Sequence, residues 1–298
     1  MSSPTGQDPL PLSIGELTGN PASLSKDRAL PRYRLSAQGR QGVEDERLNL
    51  LEAIFDPLSR QRRDLVQPGW RCLEVGAGRG SMAKWLAQQV GDQGRVLATD
   101  VDTTYLERLT IPNLEIRRHD ILNDPLGELG PGSFDLVCAR LLLFWLAGKQ
   151  EHAIRRMVDC LRPGGWLLDE DGDWGMVAPV DPSHSHYDPY HRAWKNGEWW
   201  AARGYDPAFG RKLPFLFERC GLANIRHETS ASVVRGGSPW GQWWRQSLEG
   251  IRASEQKDGT LTEERAEEYQ TLIPSFSDSS FWFHTALIHG CRGQRITS

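Results

Sequence analysis

The stretch from Cys72 to Leu86 reads CLEVGAGRGSMAKWL. A short apolar run predicts a strand over 71–75. Gly76, Gly78 and Gly80 then stand at every second position before a predicted helix from Ser81 to Val90. Glycine at a strand-to-helix turn permits positive φ and lets the backbone come close to a ligand. Asp100 closes the next predicted strand, 20 residues after Gly80. A carboxylate in that place can accept two hydrogen bonds from ribose hydroxyls. Loop and acid together predict an adenosine-type cofactor at the carboxyl ends of the first two strands.

The spacing separates the cofactors. Dinucleotide sites prefer G-x-G-x-x-G with a pyrophosphate on the helix N-terminus. Here the loop is G-x-G-x-G and follows Glu74. An acid there repels a pyrophosphate and suits a cationic amino-acid moiety. No Tyr-x-x-x-Lys pair exists, and the loop lacks the Lys-Ser/Thr ending of a P-loop.

Outward from the loop, strand-like and helix-like segments alternate. Helical spacing of Leu48, Leu51, Ile54 and Phe55 predicts a helix closed by Asp56-Pro57. Further strands are read at 95–100, 114–120, 134–140 and 166–171. A short helix is read near Thr104–Leu109, and a longer one from Gln150 to Leu161. This alternation predicts an α/β fold with a mostly parallel sheet covered on both faces. Beyond Asp173 the texture shifts to His, Tyr, Trp and Pro. A helix Pro214–Cys220, a strand at 223–234, a helical stretch at about 240–272 and a last strand, FWFHTALIHG, complete the reading. The expected division is a flexible tail or lid over 1–35, a cofactor-binding core over 36–173, and acceptor-binding cap elements with the last strands over 174–298.

With these elements in place, the sequence resembles class I S-adenosylmethionine-dependent methyltransferases. LEVGAGRGS is similar to their first motif, ATDVD to the second-strand acid, RHDI to the adenine-edge motif, and LRPGGWLL to the turn before strand five. GWLLDEDGDW, LPFLFERCGL and VVRGGSPW further resemble bacterial methyltransferases of specialised metabolism, including antibiotic and alkaloid biosynthesis. The resemblance implies a Rossmann-like, seven-stranded sheet with its last strand antiparallel and helical insertions over the acceptor. It implies S-adenosyl-L-methionine as the cofactor. Glu74, Gly76, Ala77, Gly78 and Gly80 would face the methionine part, and Asp100 the ribose. Val101 would pack on adenine, Asp120 would accept from the adenine amino group with Ile121 beside it, and backbone at Ala139 and Arg140 would reach the methionine amino group. Tyr33 would belong to a lid. Many relatives carry His where this chain has Trp145, which turns that position from a base into an aromatic wall.

The bulk numbers bound the partners. The 298 residues are 39% hydrophobic and 25% charged, with a net charge of −4. That balance carries no basic field for nucleic acid or an acidic membrane. The longest apolar run is too short to span a bilayer, and no secretory signal is visible. Five dispersed cysteines without a C-x-x-C pair read as reduced thiols, hence a cytoplasmic protein. A homodimer stays open.

The second half points to the acceptor. Eight of the twelve tryptophans lie between Trp174 and Trp282, and such rings stack on flat ligands or pack a helical cap. Alternation along a strand puts Trp282 and His284 on one face and Phe281 and Phe283 on the other. At the start of the last strand, Trp282 would line the acceptor with Trp145, and His284 would be the candidate base. Glu170 and Asp173, in the acid run ending strand five, are the alternative catalytic carboxylates. The spacing fits no EF-hand, and His184, His186 and His191 lack a zinc pattern, so no metal is expected. The function read is methyl transfer to N, O or C of a small, aromatic or heteroaromatic acceptor such as an indole. A cyclase or isomerase on the same fold and a non-catalytic binding protein are the rivals.

Overall fold

The computed structural model describes residues 41–146, 148–195 and 205–296. The tail or lid over 1–35, with Tyr33, lies outside them, as do Trp199 and Trp200. Tyr33–Ser298 is one unit, so the expected core and cap share a single body.

Ten strands and seven helices are defined among the described residues. β1 (Arg71–Val75), β2 (Arg95–Asp100), β3 (Leu114–Arg118), β4 (Phe134–Arg140) and β5 (Leu161–Asp173) run parallel, with α1 (Gln41–Arg62), α2 (Ser81–Val90) and α3 (Gln150–Cys160) around them. After β5 come β6 (Ala178–Pro179), α4 (Tyr187–Lys195), α5 (Leu213–Arg219), β7 (Leu222–Ser230) and β8 (Val233–Arg235). α6 (Pro239–Lys257), α7 (Glu263–Ser275), β9 (Trp282–His284) and β10 (Leu287–Arg295) finish the chain. The large sheet has the order β3-β2-β1-β4-β5-β10-β7, and β10 is antiparallel to both neighbours. This is the Rossmann-like arrangement expected.

Alternation along the central strands divides the core. Leu73, Val75, Val137 and Ala139 face one apolar cluster with α3 and α5. Cys72, Leu136 and Cys138 face another with α2. All five cysteines are free and buried.

Three expectations are corrected. α1 does not stop at Asp56-Pro57 but runs to Arg62, with Pro57 inside it. Proline removes the bond to the carbonyl four residues back; both Pro57 and Ala53 are exposed, so water can take that carbonyl. The short helix near Thr104–Leu109 is one 3₁₀ turn, Leu106–Arg108. Most consequential, FWFHTALIHG is two strands. β9 belongs to a separate three-stranded sheet, β6-β9-β8, and only β10 joins the main sheet. The residue that pairs with Asp173 at the catalytic edge is therefore Leu287, not Trp282.

Candidate active site

The site is built at the carboxyl ends of β1, β2 and β4, where parallel strands leave a crevice. Gly76, Gly78 and Gly80 have φ of 70°, 57° and 80°, a region that residues with a Cβ avoid. The three differ in purpose. A Cβ on Gly78 would meet nothing within 4 Å, so the loop fronts open space there. A Cβ on Gly80 would come within 2.6 Å of Leu109 and 2.8 Å of Leu106. Packing alone thus requires glycine at position 80. Ala77 anchors the loop by donating its N–H to the Thr99 carbonyl at 2.9 Å.

Asp100 ends β2 beside the loop. Its carboxylate accepts from the Gly78 N–H at 2.9 Å and the Asp102 N–H at 3.0 Å. Burial raises its pKa, while these backbone donors oppose the rise. Val101 is 54% exposed, an apolar surface open to a flat ligand. Asp120 is less free than expected: its carboxylate accepts from the Leu122 N–H at 2.8 Å and the Asn123 amide at 2.7 Å. Ile121 and Ala139 are buried.

Glu74 is buried beneath the loop, and its Oε2 has no hydrogen-bond partner. Burial pushes its carboxyl up to about 7, against the pull of Arg63 and Arg140. A buried acid with an unused oxygen, under a loop fronting open space, fits a cationic ligand group.

A network the sequence reading missed ties α1 to this floor. The Arg140 side chain donates to Asp56 at 2.8 Å, Ser59 at 3.1 Å and Ser81 at 3.3 Å. Glu170 accepts from Arg62 and Ser59, both at 3.1 Å, and from Arg63. Burial alone would raise the Glu170 pKa, but Arg63, Arg140 and Arg62 hold it below the ordinary value. The signal was a helical spacing of polar residues, Asp56, Ser59 and Arg63, that reads as a solvated face until the sheet is placed against it.

The catalytic candidates are consequently redistributed. Glu170 is locked in this ionic cluster and presents no free oxygen to an acceptor. The buried carboxylate of Asp173 accepts from the Gly175 N–H at 3.2 Å and pairs with Arg211. Asp171 accepts from the Phe144 N–H at 3.0 Å and is pushed up to about 8, chiefly by burial. Trp282 and His284 do share a face, opposite the buried Phe281 and Phe283. That face is on the small sheet: Trp282 is 45% exposed with Arg235 over its ring, and His284 lies between Ala178 and Val233.

Aromatic residues near the catalytic edge come instead from five other segments. Phe55 of α1 meets Trp240 and Trp243 of α6 at ring distances of 5.2 and 6.1 Å. Trp243 stacks on Trp174 at 6.0 Å, and Trp174 lies 5.9 Å from Phe144. Trp145 is 4.7 Å from Phe144 and edge-on to Tyr205 at 4.3 Å. Phe144 and Trp145 follow β4, which neighbours β1, and Trp174 follows β5, so these rings gather at the carboxyl edge of the sheet; Phe55, Phe144, Trp174 and Trp243 are buried there, and Trp145 and Trp240 are half-buried. A cleft of about 400 Å³ between α1 and α2 opens at the end of the glycine loop, lined by Gly80, Ser81, Glu52, Asp56, Arg79 and Lys84 among others. Its charged lining lacks the rings of the wall. Among the described residues no group of three or more His, Cys, Asp or Glu is arranged to hold a metal ion. His184 and His186 each approach the same Asp278 oxygen, at 3.7 and 3.4 Å, which ties the cap to the loop before β9.

Comparison with known proteins agrees with this geometry. Residues 73–168 match the family model described as a methyltransferase domain. The methyltransferase str3 of Strobilurus tenacellus is 37% identical over 157 residues, 52% of this chain and 53% of that protein. The nocamycin O-methyltransferase of Saccharothrix syringae is 30% identical over 151 residues, 48% and 49% of the two chains. The aligned part thus spans about half the length of these relatives. A solved structure from Bacillus halodurans C-125, a methyltransferase candidate, superposes with a TM-score of 0.52 at 14% identity, covering 80% of this chain and 98% of that one. Residues 73–168 thus match a methyltransferase domain, on a fold shared with the Bacillus structure. Glu74, Gly76, Gly78, Asp100 and Val101 gather at the carboxyl ends of β1 and β2, where the sequence expectation puts S-adenosylmethionine.

Proposed function

We propose that this chain methylates N, O or C of a small aromatic or heteroaromatic acceptor in specialised metabolism. The observation that carries the reading is the aromatic cluster at the carboxyl edge of the sheet, in which Phe55, Phe144, Trp174 and Trp243 are buried backing and Trp145 and Trp240 are half-buried faces. S-adenosylmethionine, when bound, supplies an activated methyl group on sulfonium sulfur. The protein's task is then alignment and exclusion of water. Rings at that edge hold a flat acceptor by stacking, worth roughly 0.5–1.5 kcal/mol per pair beyond burial. No side chain need act as a base for an electron-rich ring or an amine, consistent with the engagement of three carboxylates of the acid run: Glu170 by arginines, Asp171 by backbone, Asp173 by Arg211. The relative named an O-methyltransferase supports a hydroxyl acceptor as one member of the class. Among the described residues no helix is long and apolar enough to cross a membrane, and the free buried cysteines support a cytoplasmic setting.

The test is incubation with S-adenosylmethionine and a panel of indoles, phenols and aromatic amines. The expected result is S-adenosylhomocysteine together with a product carrying one added methyl. Conversion of a substrate without S-adenosylhomocysteine would replace methyl transfer by cyclase or isomerase chemistry. Binding without any turnover across the panel would overturn the aromatic acceptor.

A further inference from the structure

Leu141 and Asn224 are the non-glycine residues with positive φ among those described, both at 51°. Asparagine tolerates this region because its short polar side chain bonds locally. Leucine has no such relief, and its strained backbone persists only where the surroundings over-determine it. They do so here. The Leu141 N–H donates to the Glu170 carbonyl at 2.7 Å, and Glu170 is clamped by Arg62 and Arg63. The 3₁₀ turn that follows, Leu143–Trp145, hangs on the Asp171 carboxylate through the Phe144 N–H.

The reversal at Leu141 has a geometric result. It lays the side chain of Leu142 on the turn at Gly76, where a Cβ would lie 3.0 Å from both Leu142 methyl groups. Leu142 is only half-buried. Its isobutyl group therefore packs on the glycine loop, just ahead of the 3₁₀ turn that carries Phe144 and Trp145. We infer that Leu142, aimed by the strained Leu141, is a positioning residue that packs against the methionine limb of the cofactor and separates it from the acceptor wall. This rests on the reading of the site as one for S-adenosylmethionine, and its test separates the two ideas.

Titration calorimetry with S-adenosylhomocysteine and with methylthioadenosine, which lacks the amino-acid limb, supplies the readout. Leu142→Ala should weaken S-adenosylhomocysteine about tenfold while methylthioadenosine changes less than about twofold. Leu142→Met, which keeps volume, should restore most of the loss. Equal weakening of both ligands, or of neither, would overturn the assignment by making Leu142 an ordinary packing residue. A wild-type chain that binds neither ligand would remove the cofactor reading itself, and this inference with it.

Discussion

The backbone N–H of Gly78 and the carboxylate of Asp100 meet at 2.9 Å, closing the first cofactor loop onto the end of the second strand. The same carboxylate that is placed for ribose hydroxyls thus already holds the loop in shape. Asp100→Ala removes both roles. Loss of charge-assisted bonds, each worth about 1.5–3 kcal/mol, should weaken S-adenosylhomocysteine at least tenfold, by about 1.4 kcal/mol or more. Isothermal titration decides; weakening below about threefold would mean that Asp100 serves the loop alone.

Glu74 makes the ligand-free protein sensitive to alkali. Its folded pKa, about 7, lies above the ordinary 4.5. An acid raised in this way binds its proton more tightly when folded. Its contribution is fully present below pH 4.5 and is lost as pH rises through about 7. Glu74→Gln should therefore gain stability over wild type at about pH 8, by up to about 3 kcal/mol, and little at about pH 5. Melting curves at the two values check this; an equal gain at both would show that Glu74 does not titrate on folding.

Glu170 has the opposite sign. Its pKa is held below the ordinary glutamate value by Arg63, Arg140 and Arg62. The stability it contributes is present above that value and is lost as pH falls through the lower, folded one. Glu170→Ala leaves Arg63 buried without its carboxylate and Arg62 with Glu228 alone, an effect of about 3–5 kcal/mol. Urea denaturation should show a much earlier midpoint. A midpoint close to wild type, with turnover abolished, would return Glu170 to the catalytic candidates.

Trp145 tests the acceptor wall. Its ring packs on Phe144 and Tyr205 and is only half-buried. With an acceptor in hand, Trp145→Ala should raise KM about tenfold through lost stacking and burial. Affinity for S-adenosylhomocysteine should be unchanged. A loss confined to cofactor affinity would move Trp145 from the wall to the loop.

The cofactor half of this site was legible in the chain because its determinants are local. Three glycines at a strand-to-helix turn, and an acid one strand later, carry their geometry in their spacing. The alternation of strands and helices likewise announced the sheet. Glu74 was readable as an acid unsuited to pyrophosphate, though not as one pushed up to about 7, since burial depends on the elements packed around it.

What only the tertiary structure decided involves residues far apart in sequence. Trp282 and His284 alternate as a strand should, yet which sheet they join depends on pairing with β6 and β8 rather than on their own pattern. Glu170 and Asp173 looked alike in one acid run. Arg62 and Arg63, more than a hundred positions away, made the first a buried ion-pair partner, and Arg211 took the second. Leu141 carries no sequence mark of a left-handed residue, because the Glu170 carbonyl and the Asp171 carboxylate impose that conformation from a neighbouring strand. Short-range spacing determines backbone turns and periodic faces; which charges meet and which rings share a wall is set by the packing of whole elements.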